Sequence, residues 1–282
     1  MGLAPVLAAV WVVVTWWSWP DVAELAQRNP ATTAFMERYR ARHSARGRVA
    51  EVSWNPVSYQ GISVHLKRAV VAAEDLEFFS HGGFSGSEVR AALRTALRER
   101  QAPRGASTIT QQLAKNLWLS PSRSPVRKLR EALLTRSLER HLTKRRILEL
   151  YLNVVEFGPG VYGAEAAART YFGKPAADLL EDEAAMLAAG LPRPASWHPG
   201  VSSRAYAGYA AEIKRRMDAA GFLWRAVGAE PPAGVPVALP DLDSLLQAVR
   251  DSVVRPDTGL QDTMTVQPAP APVDTPIRSA VL

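Results

Sequence analysis

Apolar residues recur with helical spacing through the middle of the chain. Leu134, Leu138 and Leu142 follow one another at intervals of four, and neither glycine nor proline occurs between Val126 and Phe157. Side chains four residues apart share one face of a helix, so this pattern predicts a helix over that whole stretch. Similar patterns predict helices over Leu66–Glu77, Ser85–Arg100, Thr108–Leu117, Gly163–Tyr171, Glu181–Ala189 and Arg204–Ala219. Strand signals are confined to Val49–Trp54, so the predicted class is mostly α.

The chain divides into four segments of different composition. Residues 1–20 are free of charged side chains, and residues 21–48 are polar and arginine-rich, as in a partly helical connector. The helical patterns place a compact domain over residues 49–221. Residues 222–282 include nine prolines after Gly228 and are expected to be largely disordered.

The first segment is long and apolar enough to cross a bilayer. Residues 3–19 are uncharged and end in three tryptophans, and a bilayer core of about 30 Å requires roughly 20 helical residues. Because tryptophan favours the membrane–water interface, we expect one N-terminal transmembrane helix. A cleaved signal peptide is the alternative, although a basic leading region and a small-residue cleavage site are both missing.

Positive charge is concentrated in one window of the chain. The 282 residues carry a formal net charge of +7, and between Pro121 and Leu150 nine bases face three glutamates. This excess indicates an anionic partner, such as a nucleic acid, a phosphorylated substrate or a membrane surface. Apolar residues make up 47% of the chain, which supports a buried core, and the absence of cysteine excludes thiolate metal sites and cysteine nucleophiles.

An acidic pair stands beside aromatic residues at the end of a predicted helix. Glu74 and Asp75 lie about 100° apart on such a helix and therefore face different directions. One of them would lie against Phe78 and Phe79, where loss of solvent raises the pKa of a carboxyl group and makes its ionised form a stronger base. An ordinary solvated helix end is the alternative.

Two further segments combine polar side chains with helical spacing. Ser107 or Thr108 is a natural helix cap, followed by Gln111, Gln112 and Lys115, which suits a sugar–phosphate ligand or simply a capped surface helix. In the next segment, Glu131 lies among four bases that should hold it ionised, unless this is only a solvated helix face. Further on, Glu149 and Asn153 are expected to fix a neighbouring loop.

These segments, in this order, resemble the motifs of the peptidoglycan glycosyltransferase family, and most closely its monofunctional biosynthetic members. The resemblance extends from about Trp54 to Met217. It rests on Glu74-Asp75-x-x-Phe78-x-x-His81-x-Gly83, Gly105-x-Ser107-Thr108-Ile109-Thr110-Gln111-Gln112-Leu113-x-Lys115-Asn116, Arg127-Lys128-x-x-Glu131, and Lys144-x-x-Ile147-Leu148-Glu149-x-Tyr151-Leu152-Asn153. A fifth stretch runs from Gly163-Ala164-Glu165 through Tyr171-Phe172-Gly173-Lys174 to Leu191-Pro192.

The resemblance implies a lysozyme-like glycosyltransferase domain with a small membrane-contacting jaw. The implied reaction polymerises lipid II into β-1,4-linked glycan strands, with inversion and release of undecaprenyl diphosphate. By analogy, Glu74 is the base, and Glu131 assists at the leaving group. Substrate binding is implied for Lys115, Arg123, Gln111, Gln112, Ser107, Thr108, Arg127, Lys128 and Asn116, and supporting roles for Asp75, His81, Phe78, Glu149 and Asn153.

The resemblance also bears on partners, cofactors and location. The implied partners are lipid II, the growing glycan, the bilayer and cell-wall synthase or divisome proteins, with no nucleic acid. No obligatory cofactor is expected, although a divalent cation, Mg or Mn, could accompany the diphosphate. Leu117, Trp118 and Leu119 are expected to be exposed at the membrane surface.

The side of the membrane on which the domain lies is predicted differently by the charge pattern and by the resemblance. Arginines follow the apolar stretch from Arg28 to Arg48 and no base precedes it, so the positive-inside rule alone places the domain in the cytoplasm. The resemblance requires the domain on the periplasmic side of a single-pass anchor in the inner membrane, and we give it more weight. A start further upstream would supply the missing basic flank.

Two other functions remain as alternatives. A glycan-cleaving lytic transglycosylase would use a protonated glutamate and would have no use for the basic window. A non-catalytic cell-wall scaffold or basic binding module would bind through its charge, with steep dependence on salt.

Overall fold

The computed structural model describes residues 19–47, 51–86, 107–122 and 124–229, which are mostly helical, as predicted. The helices are α1 Ala34–Ser44, α2 Val64–Glu74, α3 Ile109–Trp118, α4 Pro125–His141, α5 Lys144–Val154, α6 Ala164–Phe172, α7 Glu181–Gly190, α8 Arg204–Ala219 and α9 Leu223–Ala226. Short 3-10 turns occupy Ala23–Ala26, Tyr59–Gly61 and Ala176–Asp178. Nearly all of the predicted transmembrane stretch and of the predicted helix Ser85–Arg100 lies outside the described residues. Within the described part of the chain, no helix is both long and apolar enough to span a bilayer.

Hydroxyl side chains determine where many of the helices begin. In each case the side-chain oxygen accepts a hydrogen bond from a backbone N–H group in the first turn, a contact worth about 1 kcal/mol. The capping residues are Thr33, Ser63, Thr108, Ser124, Thr143 and Ser203.

Thr143 divides the predicted long helix into α4 and α5. Leu142 has an extended backbone (φ −120°, ψ 148°) and a buried side chain, and Thr143 then caps α5 by accepting a hydrogen bond from the Arg146 N–H group. The prediction of one helix from Val126 to Phe157 is therefore wrong. It failed because a hydroxyl cap can end a helix without glycine or proline.

A small three-stranded sheet lies beside the helices. Its strands are β1 Ser53–Trp54, β2 Glu156–Gly158 and β3 Val161–Tyr162, and β3 runs between the other two, parallel to β1 and antiparallel to β2. Only β1 falls within the predicted strand region. Gly163 has φ +82°, and a Cβ atom there would lie 2.5 Å from the Asn153 carbonyl oxygen, so the turn from β3 into α6 requires glycine.

The core is built from two groups of helices. Helix α2 packs against α7 and α8, while α3 packs against α4 and α5. Their buried side chains belong to one continuous apolar cluster. The helix α2 carries Glu74 at its end, and α3 carries Gln112 and Lys115, so this packing sets the positions of the predicted site residues.

The predicted connector is docked onto this core. Val22 and Leu25 are buried in the core cluster. Trp19, the last residue of the predicted transmembrane stretch, packs against the edge of the same cluster. The Arg146 guanidinium of α5 donates hydrogen bonds to the carbonyl oxygens of Leu25 (2.7 Å) and Arg28 (2.8 Å). The connector is partly helical, as predicted, and it is also a packed part of the domain.

The packed core continues beyond Gly221, where the predicted domain ends. Leu223 and Trp224 of α9 are buried, and the Arg68 guanidinium lies 4.1 Å from the centre of the Trp224 ring. The Tyr59 hydroxyl donates a hydrogen bond to the Val227 carbonyl oxygen at 3.0 Å. At least residues 222–227 are thus part of the fold, while residues 230–282 lie outside the described part.

Leu223→Ala should lower the free energy of unfolding by about 2–5 kcal/mol, because it removes a fully buried side chain and leaves a cavity. The measurement is urea unfolding at neutral pH. Arg225→Ala, at an exposed position of the same helix, is the matched control and should change little. Equal stability of the two variants would show that α9 contributes nothing to the core.

Candidate active site

Asp75 joins the end of α2 to the beginning of α3. It is 3% exposed, and its Oδ2 atom accepts a hydrogen bond from the Ile109 N–H group at 3.0 Å. A carboxylate at a helix N-terminus satisfies an otherwise unpaired donor and interacts favourably with the helix dipole. Asp75 therefore positions the two helices relative to each other, and its side chain is turned into the protein.

His81 holds the Asp75 carboxylate from the other side. Its Nδ1 atom accepts a hydrogen bond from the Gly83 N–H group (3.1 Å), so its Nε2 atom bears the proton and donates to Asp75 Oδ1 (2.9 Å). Phe78, one turn earlier, is fully buried, and the Lys144 ammonium group lies 4.5 Å from its ring centre. His81 and Phe78 therefore support the loop that follows the end of α2.

Glu74 contacts α3 at a different point from Asp75. Its Oε2 atom accepts a hydrogen bond from Gln112 Nε2 at 2.7 Å. Burial raises the pKa of the Glu74 carboxyl group, while the Gln112 hydrogen bond and the Lys115 charge oppose the rise. Glu74 is thus the member of the acidic pair whose pKa burial raises, while its predicted contact with Phe78 and Phe79 stays a prediction.

Tyr151 sets the orientation of the Gln112 amide. Its hydroxyl donates to Gln112 Oε1 at 2.9 Å, which leaves Nε2 to donate to Glu74 and to the Ser107 carbonyl oxygen (3.1 Å). In the sequence, Tyr151 stood out only as a member of the motif that begins at Lys144, and the role of its hydroxyl was missed. The available signal was a tyrosine among aliphatic residues, since a buried tyrosine hydroxyl usually finds a partner.

The charges of both the Glu74 and the Glu131 carboxylates act on Lys115. Burial lowers the pKa of the Lys115 ammonium group, and the two glutamates act against that effect, with Glu131 the stronger. Lys115 is three residues after Gln112, so both side chains project from one face of α3. No described carboxylate forms a direct ion pair with Lys115.

Glu131 is buried beneath two bases of its own helix. It is 2% exposed and forms ion pairs with Arg127 and Lys128, one turn earlier on α4. Two cationic side chains thus contact one carboxylate, whose charge also acts on Lys115. The Nε–H group of Arg127 is also buried without a hydrogen-bond partner among the described residues. The cluster thus retains positive charge and an unused donor for an anion.

The remaining predicted binding residues have different positions. Thr108 and Gln111 form a capping box at the start of α3, and the Thr108 hydroxyl also donates to the Gly83 carbonyl oxygen at 2.8 Å. Asn116 is buried on the same helix, and Ser107 touches the site through its carbonyl oxygen. The structure gives Thr108 and Gln111 a part in building the helix end, while their contact with substrate stays a prediction. Arg123 lies outside the described residues.

The expectation that Leu117 and Leu119 are exposed is wrong. Both are 4% exposed and belong to the core cluster, and Trp118 packs against it. They follow the buried face of α3, which continues to its end. A group of exposed apolar side chains occurs instead on α4, at Val126, Leu129 and Leu133, which are 51–55% exposed.

Asn153 fixes a loop because its side chain bonds to both backbone groups of Val57, as a neighbouring strand would. Its side-chain amide accepts from the Val57 N–H group and donates to the Val57 carbonyl oxygen, both at 2.8 Å. Its Nδ2 atom also donates to the carbonyl oxygen of Glu149 (2.9 Å), whose carboxylate pairs with Arg146. Both residues therefore act on the fold at a distance from Glu74.

The residues around Glu131 do not fit a metal ion held by the protein alone. Mg and Mn ions prefer several oxygen ligands, and both Glu131 oxygens are taken by Arg127 and Lys128. The described residues contain no group of three or more His, Asp or Glu side chains placed to hold a metal.

Comparison with known proteins identifies the family of this chain. A family model for transglycosylases matches residues 42–219, which include all of the site residues above. The chain belongs to the transglycosylase family. Among its relatives, the biosynthetic peptidoglycan transglycosylase of Thiobacillus denitrificans is 45% identical over 214 residues, covering 75% of this chain and 92% of the relative. Proteins of the same name from Azoarcus sp. (46% over 213 residues; 75% and 92%) and Laribacter hongkongensis (42% over 224 residues; 77% and 95%) are similar.

Replacing Glu74 in this transglycosylase should stabilise the fold increasingly as pH rises. Because burial raises the Glu74 pKa, the folded protein loses stability as pH climbs from the unfolded-state pKa to the folded-state pKa. Each tenfold difference in proton affinity between the two states corresponds to about 1.4 kcal/mol. Glu74→Gln keeps an acceptor for Gln112 and removes that loss. Unfolding free energies of both proteins between pH 4 and pH 8 measure the difference, with the exposed Glu51→Gln as control. A difference independent of pH would show that the Glu74 pKa is not raised.

Proposed function

We propose that this chain is a peptidoglycan glycosyltransferase that polymerises lipid II into β-1,4-linked glycan and releases undecaprenyl diphosphate. The observation that carries the proposal is that the charge of Lys115 interacts with two different carboxylates. Burial raises the pKa of the first, Glu74, and the second, Glu131, is buried and paired with two bases. The first suits a general base, and the second suits a diphosphate leaving group.

Glu74 takes the proton in this mechanism. The 4-hydroxyl oxygen of the incoming lipid II attacks the anomeric carbon of the growing chain, and its proton passes to a Glu74 carboxylate oxygen. Because burial weakens the solvation of the carboxylate, its ionised form is a stronger base than an exposed glutamate. The hydrogen bond from Gln112 keeps the carboxylate oriented during the transfer.

The basic cluster receives the leaving group. As the new C–O bond forms, the bond from the anomeric carbon to the diphosphate oxygen breaks, and its electron pair stays on the diphosphate. Attack from the side opposite the leaving group converts the α linkage into a β linkage. Lys115, Arg127 and Lys128 stabilise the developing negative charge, and one well-placed donor is worth about 3–4 kcal/mol of barrier.

Glu131 acts on these bases in the proposed mechanism. Its ion pairs with Arg127 and Lys128 hold both side chains in place before substrate arrives. We assign no step to a metal ion, because the Glu131 oxygens already have partners. A chelator added to the polymerisation assay measures whether the diphosphate brings a cation with it.

The charge distribution favours synthesis over the two alternatives. A lytic transglycosylase needs a protonated carboxyl group and no diphosphate site, so the cluster around Glu131 would have no part in it. A basic binding module would not require a desolvated glutamate held by a tyrosine–glutamine pair.

We also propose that the enzyme works at the membrane surface, with residues 3–19 as a single-pass anchor. On α4, Arg127 and Glu131 face the site, while Val126, Leu129 and Leu133 are exposed on the other side. An exposed apolar stripe flanked by bases suits the interface of an anionic membrane. Synthase or divisome proteins are further proposed partners.

Glu74→Gln should abolish polymerisation of purified lipid II, by at least about 100-fold, while binding of lipid II stays near normal. Lys115→Ala should weaken both binding and rate, because the cation also contacts the diphosphate before reaction. Polymer yield and lipid II affinity are measured on the same preparations. Wild-type polymerisation by Glu74→Gln would remove Glu74 from the role of base.

A reporter that is active only outside the cytoplasmic membrane tests the proposed orientation. Fused after the catalytic domain in the full chain, it should be active, because lipid II polymerises on the outer face. A reporter active only in the cytoplasm, fused at the same position, is the control and should be silent. The reverse pattern would place the domain on the cytoplasmic side.

A further inference from the structure

Trp224 connects α9 to α2, the helix that carries Glu74. The Trp224 ring is 7% exposed, and the Arg68 guanidinium of α2 lies 4.1 Å from its centre. The His65 ring, one turn earlier on α2, meets the same indole in a T-shaped contact, with ring centres 5.6 Å apart and planes at 81°. The match to the transglycosylase model ends at residue 219. Trp224 therefore lies outside the segment that identifies the family.

Arg68 joins four helices at this point. Its guanidinium donates hydrogen bonds to the Met217 carbonyl oxygen of α8 (2.7 Å) and to the Glu181 carboxylate of α7 (3.3 Å). It is 2% exposed, and its Nε–H group is buried without a hydrogen-bond partner among the described residues. Arg68 is thus a buried cation, and the Trp224 ring supplies its contact with α9.

His65 has a buried ring nitrogen without a partner. Its Nδ1 atom forms no hydrogen bond with any residue that the structure describes. Burial lowers the pKa of the His65 imidazole; the Glu181 charge opposes this effect, and the Arg68 charge adds to it. The charge of Asp218, on α8, acts in turn on Arg68. A neutral His65 is therefore favoured while α9 is docked on α2.

We infer that α9 is docked on α2 at neutral pH and detaches in acid, when His65 becomes protonated. Protonation makes both ring nitrogens donors, so Nδ1 gains an N–H group in a place without an acceptor. It also adds a second positive charge one turn from Arg68. A cation–π contact with Trp224 would be shared between two cations that repel each other, and an unpaired charged donor is the larger cost.

The direction of the pH effect follows from the two states of His65. Because burial makes the imidazole a weaker base in the docked state, a proton binds more tightly once α9 has detached. Docking therefore weakens as pH falls through about 6.5, the ordinary pKa of histidine. Above that pH His65 is neutral in both states, and the contact has its full strength.

Detachment of α9 would also act on the catalytic end of α2. His65 and Arg68 lie in the first half of this 11-residue helix, and Glu74 is its last residue. When α9 leaves, α2 loses one packing partner and keeps α7 and α8. We therefore expect the docked form to be the more active one. This effect on activity rests on the proposed function, whereas the detachment itself does not.

The test measures docking and activity separately on the full chain. Because α9 also buries Leu223, the detached form is a minority, and hydrogen–deuterium exchange reports the population of such open forms. Exchange of the backbone amides of residues 222–228 is compared at about pH 5 and about pH 7.5, after correction for the chemical exchange rate at each pH. The rate of lipid II polymerisation is measured at the same two pH values.

The variants are His65→Gln and Trp224→Ala, with His198→Gln as the matched control. His198 is another partly buried histidine whose pKa is lowered by burial, and its ring stacks on Tyr171. Thermal unfolding at both pH values shows that each variant is folded.

In the wild-type chain, exchange of residues 222–228 should be at least about threefold faster at the lower pH. His65→Gln should remove that difference, because glutamine is neutral at both pH values, and His198→Gln should keep it. Trp224→Ala should give fast exchange at both. The fraction of the polymerisation rate that survives in acid should be about twofold larger in His65→Gln than in wild type, since titration of Glu74 is common to the two proteins.

Three results would count against these expectations. An equal response of exchange to pH in His65→Gln and wild type, or slower exchange in acid, would overturn the inference. Exchange that depends on His65, with the same surviving rate in both proteins, would overturn the effect on α2 and leave the detachment supported. A wild-type chain that polymerises no lipid II at either pH would reject the proposed function, while the exchange data would still decide whether α9 detaches.

Discussion

The buried carboxylate of Asp75 is the contact on which the site depends. One of its oxygens accepts a hydrogen bond from the first N–H group of α3, and the other accepts one from the His81 ring. Breaking it would leave a charge without partners in a desolvated position, which commonly costs several kcal/mol. Because Glu74 is the adjacent residue and Gln112 lies one turn into α3, this contact determines how the base meets its partners.

The site separates two electrostatic environments over a short stretch of structure. On the Glu74 side, loss of solvent is opposed by one amide and one distant cation, which leaves a carboxyl group that binds protons readily. On the Glu131 side, two ion pairs keep a buried carboxylate satisfied while positive charge remains in excess. Lys115 belongs to both environments. A reaction in which one group accepts a proton while another stabilises a departing diphosphate needs this separation.

Sequence reasoning found the helices with clear patterns and the segments that bear chemistry. The helix Arg204–Ala219 was predicted with its observed ends, since it has a serine cap and a regular apolar stripe. The break at Thr143 was not predicted, because a helix cap inside an apolar run leaves no glycine or proline signal. Strands β2 and β3 were not predicted either, because they are two or three residues long and depend on pairing between strands.

The site residues could be located from the sequence, but which of them face the site and which support the fold could not. It predicted that Glu74 and Asp75 face different directions, yet only the position of Ile109 shows which one is turned inward. The placement of Leu117 and Leu119 at the surface was wrong, because an apolar residue beside bases suits either a core or a membrane surface. The role of Tyr151 depends on a contact between α5 and α3, which no local pattern records.

The docking of the connector has a mechanical consequence. Trp19 packs against the core edge, and Arg146 grips the backbone at Leu25 and Arg28. An extended chain spans at most about 3.6 Å per residue, and residues 19–28 give up that reach by packing on the core. They therefore do not act as a free tether, and the fold itself sets their position relative to the active site.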